Sequence, residues 1–311
     1  MATEHQMMRS NPSVPLPWTP LVLVGLALLG GGLALVGTRE QRFGGLSVAL
    51  DLITVAGILL TRALPTFRPI AAHVDDVENR NRGSFVVAGM VVWGMAALVV
   101  FAGPPETINP PADDSFTGIV VTVFAVPALV IVWVTSAYRL GDLGIAQALL
   151  ATRCVEQVAE PAEWQVVRGK LRVGTPLSLQ GVEAGLITLR KTRLSSRGHA
   201  SAWLESTVAG TLAVELSGQT LEIWLDKLLW AGPAERQWSE DVALPGADVL
   251  VGGRIGQDRV VPDRWGRVFL FAARPGADAR ATLRALRARH RLGLALFGVA
   301  SAGVVALSFL G

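Results

Sequence analysis

Hydrophobic positions along this chain change texture twice. Between residues 18 and 137 they form long, nearly unbroken blocks. Between 164 and 274 they fall into short alternating runs. From 292 to 311 one unbroken block returns. The long blocks predict five helices at residues 18–37, 46–60, 85–103, 116–134 and 292–311. Runs of about 18–20 apolar residues suit helices crossing roughly 30 Å of hydrocarbon. The second block is short and carries Asp51, so it needs its flanks, Gly44 and Thr61 to Leu64, to reach across.

The alternating region predicts a different architecture. "TLAVELSG" sets Leu212, Val214 and Leu216 on one face, and "TLEIWLD" does the same with Leu221, Ile223 and Leu225. The step through Ser217, Gly218 and Gln219 is a hairpin signal. "LPGADVLVGGRIG" offers a Pro-Gly turn followed by Val249 and Val251, and "RVFLFAAR" sets Phe269 and Phe271 opposite Val268 and Leu270. "WQVVRGKLRVG" and "GLITLRKTRLSS" add further runs. Six to eight strands in about 110 residues suit a small barrel or sandwich. Residues 138–160 carry Leu143, Ala146, Leu150 and Cys154 at helical spacing, which predicts one more helix before the strands begin.

Composition supports the membrane reading of the long blocks. The chain is 51% hydrophobic and 17% charged over 311 residues, where a water-exposed domain of this size carries charge on about a quarter of its positions. A formal net charge of +3 gives no bulk attraction for nucleic acid, which is not an expected partner. The basic residues instead set an expected orientation. Residues 104–115 hold no Lys or Arg and are placed outside; Arg62, Arg68, Arg80, Arg82, Arg139 and the cluster 280–291 are placed inside. Arg39 and Arg42 run against this pattern. The start, "MATEHQMMRSNPSVPLP", does not have the form of a cleavable signal.

The expected organisation is therefore a polar tail (1–17), four transmembrane helices (18–137), a juxtamembrane helix and linker (138–163), a cytoplasmic all-β domain (164–274), a basic amphipathic helix (275–291) and a fifth transmembrane helix (292–311). The expected fold class is a multi-span α-helical membrane protein with that β domain, located in the inner or plasma membrane.

The stretch "VVRGKLRVGTPLSLQGVEAGLITLRKTRL", with "GTLAVELSGQTLEI", "ALPGADVLVGGRIGQD" and "RVFLFAARP", resembles the GIDE-type domain. This β-rich "beside a membrane" module occurs in mitochondrial membrane E3 ubiquitin ligases and bacterial relatives. Gly169 to Leu177, the Ser217–Gly218 hairpin and Pro245 to Gly253 carry the likeness, which spans 164–311. The family's ligases need a RING of eight Cys/His zinc ligands. This chain has one cysteine, Cys154, and histidines only at 5, 73, 199 and 290. The resemblance therefore implies a relative without a RING and without autonomous ligase activity.

Few residues present themselves for chemistry. Asp51 inside an apolar block is a candidate intramembrane polar site, as on a proton or ion path; the alternative has it reaching headgroups or a neighbouring helix. The loop 73–82, with His73, Asp75, Asp76 and Glu78, would serve a transporter or membrane-embedded enzyme together with Asp51, though no metal and no cofactor is expected. Trp224 shares a strand face with Glu222 and Asp226, which makes it a candidate interaction surface for an unidentified protein or small molecule. Arg280, Arg284, Arg287 and Arg291, spaced four, three and four, form one stripe on a helix and are expected to hold anionic headgroups of the bilayer. No catalytic residue is expected. The functional expectation is a membrane-tethered, non-catalytic module for interaction, sensing or scaffolding; the alternative is a transporter, pore-forming effector or membrane-embedded enzyme.

Overall fold

The computed structural model describes residues 18–36, 39–61, 63–69, 140–155, 162–179, 182–194, 200–208, 210–232, 242–256, 258–264 and 266–310. These residues form two compact units. Among the described residues, one comprises 64–69 and 141–287; the other comprises 18–63, Leu140 and 288–310.

The second unit contains α1 (Trp18–Val36) and α2 (Arg39–Thr61). It also contains the distal part of a long helix, Ala279–Leu310, called α4 here. Small residues govern this packing. A Cβ on Gly293 would lie 2.7 Å from the Gly57 carbonyl oxygen, and one on Gly57 would lie 2.9 Å from the Phe297 ring. Phe297 is 1% exposed at that crossing. His290 is fully buried, with Nδ1 2.9 Å from the Thr61 carbonyl at the end of α2. That carbonyl has no intrahelical donor, so the ring caps the helix terminus.

The multi-span architecture is corrected by these helices. Among the described residues, no helix is long and apolar enough to cross a membrane. Helix α2 begins with Arg39, Glu40 and Arg42 and holds Asp51 at its middle, so charge interrupts it. Helix α4 joins the expected basic helix and fifth span into one element whose first part carries five arginines. The expected third and fourth spans and the 73–82 loop lie outside the described residues. The multi-pass reading, the inner- or plasma-membrane location and the orientation argued from arginines fall with the spans.

The first unit is built on strands. Its described strands begin with β1 (Arg68–Pro69), β2 (Cys154–Val155), β3 (Ala162–Val173), β4 (Leu177–Leu179), β5 (Val182–Ala184), β6 (Leu186–Leu194) and β7 (Ala200–Val208). They continue with β8 (Leu212–Leu216), β9 (Gln219–Ile223), β10 (Leu228–Ala231), β11 (Val242–Ala243), β12 (Asp248–Ile255), β13 (Arg259–Val261) and β14 (Val268–Ala272). The pairings β3–β8, β8–β9, β9–β13, β13–β12 and β12–β3 return to their starting strand. Five strands thus close into a barrel, which removes the open edges a flat sheet would present. Strands β14, β10 and β1 extend the sheet outward from β12, while β11–β6–β7 and β4–β5 form separate small sheets.

The barrel interior follows from strict alternation. Val167 and Leu171 of β3, Val214 of β8, Leu221 and Ile223 of β9, and Val249 and Val251 of β12 fill it, each at most 1% exposed. The β8–β9 hairpin turns through Ser217 and Gly218, and Gly218 takes φ 86°, a left-handed conformation that favours glycine. Gly169 permits the closest interstrand approach, because a Cβ there would run into the Glu215 carbonyl of β8.

Candidate ligand recess

Period-two alternation gives β3, β12 and β14 a second, outward face. On β3 this face presents Trp164, Val166 and Arg168; on β12, Asp248, Leu250 and Gly252; on β14, Phe269 and Phe271. The registers set Gly252 beside Phe269 and Val166, and Leu250 beside Arg168. Among the described helices, α3 (Leu140–Ala151) covers this face, with Asp142, Ala146, Leu149 and Leu150 buried. Their spacing of four, three and one is one side of a helix.

Gly252 makes the upper part of this face possible. A Cβ there would lie 2.8 Å from both Leu149 Cδ2 and Trp164 Cη2. The indole therefore lies directly over a bare strand. Its Nε1 donates to Thr152 Oγ1 at 3.1 Å, and Thr152 Oγ1 donates in turn to the Ala148 carbonyl at 3.2 Å. Phe269 meets the indole edge-to-face, with centroids 5.8 Å apart and planes at 71°. Such pairs contribute about 0.5–1.5 kcal/mol beyond area burial. The aromatic wall is thus fixed by packing on one side and by a hydrogen bond at its far end.

Between this wall and α3 lies a recess of about 530 Å³, lined by Gly141, Gly144, Ile145, Ala148, Trp164, Asp263, Arg264 and Phe269. The α3 residues recur at three, one and three, a stripe adjacent to the buried one. A Cβ at Gly141 or Gly144 would meet nothing within 4 Å, so the helix backbone is bare toward open space. At the rim, Asp263 is 7% exposed and sits within a tight turn. Its Oδ1 accepts from the Arg267 amide at 3.2 Å, and its own amide donates to the Arg267 carbonyl at 3.1 Å. Arg264 follows it, exposed.

Below the recess, the same outward face carries a charged cluster that anchors α4. Arg168 meets Asp248 at 3.0 Å and Asp278 at 2.6 Å. Asp248 Oδ2 accepts the Ala279 amide at 2.7 Å, and Asp278 Oδ1 accepts the Ala281 amide at 2.6 Å. Two carboxylates thus serve the orphan N–H groups that open a helix, and one guanidinium ties them to the barrel. The hydrogen bond that Arg168 donates to the Asp248 carboxylate raises the Arg168 pKa, so the guanidinium stays charged. Cys154 lies in the same neighbourhood, where burial pushes the thiol up against the opposing pull of Arg280 and Arg168.

The residues expected from sequence distribute as follows. Arg280 is half-buried and donates to the Leu150 carbonyl at 3.1 Å. Arg284 and Arg291 are exposed, and Arg287 is half-buried. Leu283 and Leu286 are buried. Trp224 is 39% exposed, its amide donating to the Val260 carbonyl at 3.0 Å. Asp51 lies in α2 and does not line the recess; among the described residues its Oδ1 has no hydrogen-bond partner, and burial pushes the carboxyl up to about 8. The recess itself brings together residues not selected from sequence. Phe269 was legible as the face of β14 opposite Val268, and the paired glycines 252 and 253 within a strand signalled a close approach. The meeting of Trp164 with Phe269 required the register.

No protein-family model matches the chain, and no curated protein and no solved structure matches it either.

Proposed function

We propose that the protein is a non-catalytic recognition module that takes a small, mainly apolar ligand in the recess between α3 and the aromatic wall. The observation that carries this reading is the recess itself. It has a volume within the roughly 300–1,000 Å³ range of ligand sites and is lined mainly by Trp164, Phe269, Ile145, Ala148 and the bare backbone of Gly141 and Gly144. The GIDE-type resemblance of residues 164–311 belongs to the same proposal, as a RING-less relative used for binding.

Gly144 provides the test, because a side chain there enters open space. Gly144→Leu should fill the recess while leaving the barrel intact. The full chain and this variant are titrated with N-phenyl-1-naphthylamine, an uncharged dye that brightens in apolar surroundings. A saturable site in the parent, weakened at least tenfold in the variant, is expected. Equal saturable binding by both chains, or no saturable site in the parent, contradicts the proposal.

A further inference from the structure

Among the described residues, the sheets end on short strands with one exception. Edge strands β1, β2 and β11 hold two residues each, and β4 and β5 hold three each. Strand β7 also lies at an edge and holds nine. Among the described residues it pairs with β6 alone, from Leu194↔Ala200 to Leu186↔Val208, with no break in register. Alternate residues of an antiparallel strand turn their N–H and C=O groups away from the partner already in place. The outer side of β7 thus offers backbone donors and acceptors along its whole length, and another strand is the occupant that matches such a row. Natural edges are usually blunted by brevity, lysine, proline or a bulge. Strand β7 reads "ASAWLESTV", with no Lys, Arg, Pro or Gly and a single charge at Glu205.

We infer that β7 pairs antiparallel with β7 of a second copy of this chain, about a two-fold axis at Leu204. The β11–β6–β7 sheet then continues into that copy. Leu204 is the middle residue of the strand, so this register alone pairs its full length. It places Ser201 opposite the partner's Thr207, a hydroxyl pair of the kind that supports antiparallel ladders, and Leu204 opposite itself. Charge selects the same register. An axis at Glu205 would set two carboxylates opposite each other, which destabilises a pair. With the axis at Leu204, Trp203 lies opposite the partner's Glu205. Lys191 of β6 is already opposite Trp203. It therefore stands two strands, about 10 Å, from the partner's Glu205, near the Debye length at about 0.1 M salt. The cations Arg190, Lys191 and Arg193 remain on β6, one strand back from the new seam. Such an interface is isologous, since each copy gives what it receives.

Sedimentation velocity of the full chain should show a monomer–dimer equilibrium. Leu204→Lys and Leu204→Glu each set like charges opposite at the axis, and each should weaken association at least tenfold. Mixed in equal amounts, the two variants should recover it, because lysine then faces glutamate. Amide hydrogen exchange on the parent chain reads the same seam without any substitution. Alternate β7 amides should slow as concentration rises through the dimer range, while the amides of β3 and β12 in the barrel should not respond. A parent monomeric at every concentration sampled, undiminished association in both variants, or β7 exchange independent of concentration overturns the inference. Weakened association in both variants without recovery in the mixture overturns the axis at Leu204.

Discussion

Glycines in this chain serve opposite purposes, and single substitutions separate them. Gly144 faces open space on a helix, whereas Gly169 lies where β3 presses on the Glu215 carbonyl. Gly144→Ala should therefore stabilise the chain by about 0.5–1 kcal/mol through helix propensity and a less free unfolded chain. Gly169→Ala should destabilise it by about 1–3 kcal/mol, because the strand pair must move apart. Chemical denaturation of both variants checks the two signs. Asp51 makes a pH-dependent prediction. Its folded carboxyl titrates at about 8, against 3.8 for the ordinary group, because burial disfavours the charged form. Between those values the folded state holds more protons than the unfolded state, so stability falls as pH rises through the window. Asp51→Asn removes this loss. The variant should match the parent near pH 4 and exceed it by on the order of a few kcal/mol near pH 8. A difference between the two chains that does not change with pH would refute the assignment.

At the level of elements, the start of α4 depends on groups remote in sequence. Asp248 is buried, binds the Ala279 amide and pairs with Arg168, whose side chain is 33% exposed. Asp248→Ala removes a helix-terminal acceptor and leaves a guanidinium short of one partner. The expected cost is about 2–3 kcal/mol, less than for a fully buried pair because solvent reaches Arg168. Asp248→Asn, which keeps the acceptor oxygen, should recover part of it, and thermal unfolding of the two variants measures the difference. The elements also show what a sequence reveals. The β8–β9 hairpin was legible because one face of each strand is buried and the other is not. Strands β12 and β14 were legible as strands, but the sequence did not show which face meets the main core, since both faces of each are buried. Helix α4 was divided at the boundary between arginines and apolar residues, which marks a change in surroundings rather than a helix end. The second and fifth apolar blocks promised spans because block composition does not register the charged residues that share the resulting helices, Arg39, Glu40, Arg42 and Asp51 in α2 and five arginines in α4. Arg168 and Asp248 lie 80 residues apart, so only the β3–β12 register brings them together.

Across the whole molecule, the barrel does not hold the proposed site. Its interior is filled by aliphatic side chains, and recognition falls to its outer face, where Gly252 lets a tryptophan lie flat and α3 leaves its backbone bare. The most direct test follows Trp164 by its indole N–H resonance in the full chain, identified by its loss in Trp164→Phe. Addition of N-phenyl-1-naphthylamine should shift that resonance together with the Gly141 and Gly144 amides, and leave the barrel-interior Val214 and Leu221 amides in place. Saturable shifts that avoid Trp164 and both glycines, or an indole resonance unmoved while the probe binds, would contradict the account.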